Sequence, residues 1–187
     1  MGLAHPLHRQ FFISGKAGGV ALPASGLARD LLIQQVLDPQ VRSIGLIRLD
    51  RDNEPLDAFA VDRSDGPYLL DFGPNGSPQH ADFPAIAAAL GHRVIHVGAD
   101  EIVGEPRFST ARTIWSYRFE TVPPSMRLAI MSYLDDQGPL TLDDLCCAVP
   151  GPRDPVSVVM ALLCVGDVEL TDPLRELGPQ TRLRSRA

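Results

Sequence analysis

Lysine is almost missing from this 187-residue chain: Lys16 is the only one, and every other fixed positive charge is an arginine. Chemistry that demands a primary amine must use Lys16 or do without. Cysteine is also scarce. Cys146, Cys147 and Cys164 form neither a CxxC pair nor a Cys/His cluster, and neighbours on a helix point in different directions. The expectation is three buried free thiols in a reducing cytoplasm. No apolar run approaches the ~20 residues of a membrane span. Residues 1–19 lack the apolar centre and small-residue cleavage site of a secretory signal. A cytoplasmic protein with no membrane partner is therefore expected. An excess of positive charge is absent as well: the net charge is −6, which argues against a broad basic surface for nucleic acid.

What the chain does contain is an ordinary balance of apolar and charged residues. A chain of this length buries roughly 70% of the surface its unfolded form exposes, so it needs no disulfide or metal staple. Residues 1–24 are mixed and turn-rich and read as an arm. Ser14-Gly-Lys lacks the other residues of a phosphate-cradling loop. Ser25 can cap a helix to Leu37, which Asp38-Pro39 stops. Strands follow at 41–49, 56–61 and 67–72, the last two joined by a hairpin turn over Arg63–Gly66. An alanine-rich helix at 81–90 ends at Gly91 and leads into a strand at 93–97. A turn and a helix to Tyr117 carry Ile114 and Trp115, and Pro123-Pro124 marks a boundary. Helices are expected at 126–134, 142–148 and 155–165, then two short strands at 168–170 and 181–183. The fold class is α/β. Residues 25–121 form an αβββαβ domain with a mixed sheet flanked by helices, and 122–187 a small winged-helix-like domain.

Several residues stand out individually. His92 and His96 share a strand face, but no third ligand lies near, so solvent-edge histidines are the plainer reading. Trp115 and Tyr117, with Arg112 and Arg118, could stack on a base, or pack one domain against the other. Alternate Arg182, Arg184 and Arg186 would face one way and could touch phosphates. The helix 155–165 occupies the place of a recognition helix, yet it is apolar from Val156 to Leu163. Groove-reading helices carry Arg, Lys, Asn or Gln on one face. Here only Arg153, Asp154 and Ser157, at its start, are polar, so the helix is expected to be buried, in its own domain or against a partner.

The order of elements and certain local runs resemble one family. The runs are Ser25-Gly-Leu-Ala-Arg-Asp-Leu-Leu, Leu37-Asp-Pro-Gln-Val-Arg-Ser-Ile44, Phe59-Ala-Val, Asp65-Gly66, Gly91-His-Arg-Val and Thr110-Ala-Arg-Thr-Ile-Trp-Ser-Tyr-Arg118. Together, over about residues 10–185, they resemble the TnsA-type transposon endonucleases, whose N-terminal domain is a PD-(D/E)XK nuclease. The resemblance implies an Mg²⁺-dependent DNA endonuclease that pairs with a transposase and an ATP-dependent regulator. It also implies where the metal-binding acids would stand. The first-helix glutamate falls on Ala28, the second-strand aspartate on Ala58, the third-strand acid on Asp71 and the lysine on Gly73. A slip of one residue would bring Asp57 near instead of Ala58. Mg²⁺ needs several oxygen ligands, and losing one electrostatic stabiliser of the transition state commonly costs about 10²–10³ in rate. A lone Asp71 reads more simply as a turn or cap acceptor.

The resulting expectation is a catalytically inactive pseudo-nuclease without a cofactor. It would act as a structural or regulatory subunit through a protein partner, with weak DNA contact through Arg153, Arg182, Arg184 and Arg186. The alternatives are a DNA-binding or transcription-related regulator on the same scaffold, and an active nuclease with displaced ligands. A folded protein that binds an ion melts higher when the ion is present. Millimolar Mg²⁺ is accordingly expected to leave the calorimetric melting temperature unchanged, and a strong rise would contradict the degenerate-site reading.

Overall fold

The structure is a computed structural model describing residues 11–24, 26–49, 56–72 and 82–186. The expected cap Ser25, the turn at 50–55, Gly73 and the loop at 74–78 lie outside the described residues. Helix α1 (Gly26–Leu37) is followed by β3 (Val41–Leu49), β4 (Leu56–Arg63), β5 (Gly66–Asp71), α2 (Phe83–Ala89) and β6 (Arg93–His96), after a short hairpin of β1 (Phe11–Phe12) and β2 (Leu22–Pro23). The sheet order is β3-β4-β5-β6, antiparallel except for the parallel β5–β6 pair. A parallel neighbour needs a crossover, and α2 supplies it. This is a mixed α/β architecture in the expected αβββαβ order.

Strand alternation sends the sheet's side chains to two cores. Phe59, Val61 and Leu70 face the large core, while Ala58 and Leu69 face a small one closed by Phe83 and Ala87 of α2. Helix α1 lies in the large core and is buried without interruption from Leu31 to Leu37. Gln34 Nε2 donates to the Ile102 carbonyl at 2.6 Å, whereas Gln34 Oε1 and Gln35 Oε1 are buried without a hydrogen-bond partner among the described residues.

The C-terminal half does not make a separate core. Helices α3 (Ala99–Ile102), α4 (Arg107–Ser116), α5 (Pro124–Gln137), α6 (Leu142–Ala148) and α7 (Pro155–Val165) contribute Ile102, Ile114, Ile130, Leu145 and Leu162 to the cluster that holds Leu32 and Phe59. A small antiparallel sheet, β7 (Leu140–Thr141), β9 (Arg182–Ser185) and β8 (Val168–Leu170), closes this end. The expected pair of strands at 168–170 and 181–183 is present, and β7 is an addition. Its two residues were too few to show a period.

Helix α7 is capped at both ends. The Asp154 carboxylate accepts from Val156 and Ser157 backbone N–H groups, and Gly166 takes the left-handed conformation (φ 85°) that ends the helix. Val158 to Cys164 are all buried, against α1, α4, α5, α6 and β8 of the same chain. The burial expected from its composition is thus satisfied internally.

The largest departure concerns the N-terminal arm. Residues 11–24 pack as part of the body: Phe12, Lys16, Ala17, Leu22 and Ala24 are buried. Phe12 stacks on Trp115 with ring centroids 5.1 Å apart and planes 10° off parallel. The turn-rich composition concealed this because the segment has only two residues per strand and a single 3-10 turn, Gly15–Ala17.

Truncating a buried leucine leaves a cavity, whereas an exposed valine leaves none. Leu162→Ala is expected to destabilise the chain by roughly 2–5 kcal/mol in urea unfolding, and Val156→Ala by less than about 0.5 kcal/mol. Equal effects would mean that α7 is not the centre of the core.

Candidate functional site

The expected catalytic positions are only partly brought together. Phe59 pairs with Leu70, so Ala58 and Asp71 are the next positions across the β4–β5 ladder, and alternation puts both on the α2 side. Ala28 packs against the large core on the other side. Asp57 alternates away from Ala58, is exposed, and stands opposite Arg48. Asp71 is itself buried, and its Oδ2 lies 2.8 Å from His96 Nδ1. The contact is a close histidine–carboxylate pair. His96 follows from the parallel register, which sets it beside Asp71. Its partner is this carboxylate, while His92 Nδ1 sits 2.9 Å from the Leu90 carbonyl. The donor set is therefore one histidine and one carboxylate, with Phe83 and Ala87 filling the space beside Ala58. Among the described residues no three His, Cys, Asp or Glu side chains converge. Octahedral Mg²⁺ prefers oxygen ligands, and these residues do not fit it.

Lys16 lies elsewhere. Its ammonium donates to the Asp38 carbonyl at 2.7 Å, just past the end of α1. A Cβ on Gly166, at the end of α7, would stand 3.6 Å from Lys16 Cε. The sole lysine thus sits where two helix C-termini meet, a favourable place for a cation. Burial nevertheless lowers its pKa to about 8, helped by Arg186 and opposed by Glu169 and Asp38.

The C-terminal arginines divide into two groups. Glu169, almost fully buried, accepts from Arg184 (Nη2 at 3.0 Å, Nε at 3.1 Å), and Arg186 Nε approaches it at 3.8 Å. These two share one buried carboxylate, which balances one of their two charges. Arg182 and Arg153 are exposed and carry no ion pair among the described residues. The alternate arginines do not form one free row.

A different arginine pair lines the principal clefts. Arg29 on α1 and Arg118, just after α4, border two adjoining clefts of about 340 and 430 Å³, with Trp115 at the shared wall. One cleft is apolar, with Phe11, Ile13, Phe119 and Val165. The other is polar, with Asp30, Arg112 and Ser116. Arg112 Nε lies 3.7 Å from Asp30. Neither Arg29 nor Arg118 has an acidic partner among the described residues. Arg118 instead donates to the Trp115 carbonyl at 3.0 Å and lies over the Phe119 ring, 4.2 Å from its centroid. Burial, and then the Arg29 charge, pull Arg118 below the usual arginine range. Trp115 packs on Phe12 and so is no base-stacking platform. Arg29 and Phe119 escaped the sequence reading, because a single arginine on a helix carries no periodic signal. The run Tyr117-Arg-Phe119 was the available hint. Cys164, buried, donates its thiol to the Ile114 carbonyl at 3.2 Å, and burial pushes its pKa up to about 12.

No helix of the described residues is long and apolar enough to cross a membrane.

The Lys16 environment has a measurable pH signature. The unfolded amine holds its proton up to 10.5 and the folded one up to about 8. Between these values the unfolded state binds more protons, so this group's contribution to stability rises with pH, at most about 1.4 kcal/mol per unit. Subtracting the urea-unfolding free energy of Lys16→Met from that of the native chain should give a difference that grows from pH 8 towards 10.5. A difference independent of pH would contradict the burial of the amine.

No protein-family model matches the chain, and no curated protein is significantly similar to it.

Proposed function

We propose that this protein is a non-cleaving member of the TnsA-like nuclease scaffold, acting as a structural or regulatory subunit of a DNA transaction through a protein partner. The supporting observation is the state of the position where a metal would sit. Asp71 is the one acid among the expected catalytic positions, its carboxylate lies against His96, and Ala58 beside it faces Phe83 and Ala87. Such a site lacks the oxygen ligands that polarise a water and offset phosphate charge. The element order αβββαβ, followed by helices α3 to α7 and the small β7-β9-β8 sheet, is compatible with a PD-(D/E)XK core and a winged-helix-like unit. Burial of α7 in its own chain removes it as a groove-reading helix and as a docking helix. Partner contact then falls to the surface.

The regulator alternative draws on Arg153 and Arg182, exposed without ion pairs among the described residues. Two isolated arginines on a chain of net charge −6 give weak, salt-sensitive phosphate contact. That favours docking over DNA binding as the main activity.

Plasmid incubated with Mg²⁺ or Mn²⁺ should remain supercoiled. Cleavage that disappears with Asp71→Ala would overturn the proposal. Gel-shift affinity for duplex DNA should be weak and fall steeply with salt, and tight binding that survives high salt would favour the regulator alternative.

A further inference from the structure

We propose that the groove between β1 and the end of α4, with Arg29 and Arg118 at its centre, docks a short acidic and apolar segment of a partner protein. The inference rests on the docking part of the proposed function and gives it a place and a partner chemistry.

Three independent features point to an acidic occupant. Arg29 is close enough to disfavour the Arg118 charge, and neither arginine has an acidic partner among the described residues. Juxtaposed like charges cost stability unless an anion joins them. The Trp115 indole N–H is buried and has no acceptor within the described residues. A buried donor left unmade costs about 1–3 kcal/mol. The polar cleft also contains Gly26, at the amino end of α1, and the first turn of that helix has no acid. The helix dipole adds to the preference for a carboxylate there.

The apolar part of the groove says what accompanies the acid. Phe119 is 83% exposed, and Phe11 and Ile13 are each 56% exposed, all along one cleft that also holds Val165. Apolar side chains gathered around a cleft, unlike scattered ones, mark an interaction surface. Arginine and aromatic residues are the types enriched at such interfaces. Small-molecule pockets enclose most of their ligand. These two clefts are open and run side by side past Arg29, Trp115 and Arg118, which suits an extended chain segment. An Asp or Glu would lie between the two guanidiniums in a charge-assisted pair. A neighbouring Phe or Leu would lie on Phe11, Ile13 and Phe119. The acidic surface at Asp135, Asp136, Asp143 and Asp144 would repel such a segment, which favours the positive groove.

Trp115 is the only tryptophan, so its emission reports on this groove alone. Random short peptides displayed on phage would be selected on the full chain and, in parallel, on the Arg29→Glu/Arg118→Glu variant. The expected winners on the native protein join Asp or Glu to Phe or Leu, and are not enriched on the variant. A tryptophan-free synthetic peptide of the winning sequence should shift Trp115 emission saturably. Its affinity should fall with added salt and drop by at least about tenfold in the double variant. Phe119→Ser, at an exposed position, keeps the test decisive if the double variant does not fold: it should weaken the same peptide. No enrichment, equal enrichment on both proteins, basic winners, or a single-stranded oligonucleotide that binds more tightly than the peptide would each overturn the groove's assignment. None of these outcomes bears on plasmid cleavage. Cleavage, conversely, would overturn the non-cleaving reading and leave the groove standing.

Discussion

The burial of one lysine amine at the meeting point of the C-terminal ends of α1 and α7 organises this molecule. Lys16 reaches the Asp38 carbonyl from a 3-10 turn that is itself held by the Ser14 hydroxyl accepting from the Ala17 backbone N–H. Gly15 fits against the Val165 carbonyl, which would lie only 3.2 Å from a Cβ there. An N-terminal segment with two-residue strands cannot stabilise itself. It is held because the amine meets two negative helix ends and Phe12 stacks on Trp115. The depressed pKa of Lys16 reflects the opposing cost of desolvation, with repulsion from Arg186 added to it, and together they outweigh the attraction of Glu169 and Asp38. The hairpin therefore links the sheet domain to the C-terminal helices, and one continuous core runs through both.

The sheet's two faces then decide what each residue can do. A shift of one position along a strand changes its face. Ala58 and Asp71 share the side covered by α2, while Phe59 and Leu70 feed the large core. The parallel pairing of β5 with β6 sets His96 beside Asp71. The buried Asp71 carboxylate lies 2.8 Å from that imidazole. The arrangement is consistent as structure and poor as a cation site.

The arginines sort by whether the fold supplies an acid. Glu169 takes Arg184 and Arg186, Asp38 takes Arg63 at 3.0 Å, and Asp167 takes Arg127 at 2.9 Å. Arg29 and Arg118 lie together without such a partner among the described residues and beside exposed aromatic and aliphatic side chains. Net charge could not reveal this, since −6 is a sum over a surface whose acids cluster elsewhere, as at Asp135, Asp136, Asp143 and Asp144 on α5 and α6.

Sequence pattern alone carried the secondary structure wherever one element had enough residues to show a period or a stop. Strand 41–49 and helices 142–148 and 155–165 coincide with the observed elements, and Asp38-Pro39 ends α1 as their chemistry requires. That Ala28 and Ala58 carry no carboxylate was equally legible, because side-chain chemistry is read directly from the sequence. Tertiary structure decided the rest. Only folding could place Lys16 between two helix ends, give Glu169 its two arginines, set His96 on Asp71, and bring Arg29, Arg118 and Phe119 to one groove. Local propensities act over a few residues, whereas these pairings join positions as far apart as 12 and 115 or 29 and 118. They are fixed by which surfaces the core leaves in contact.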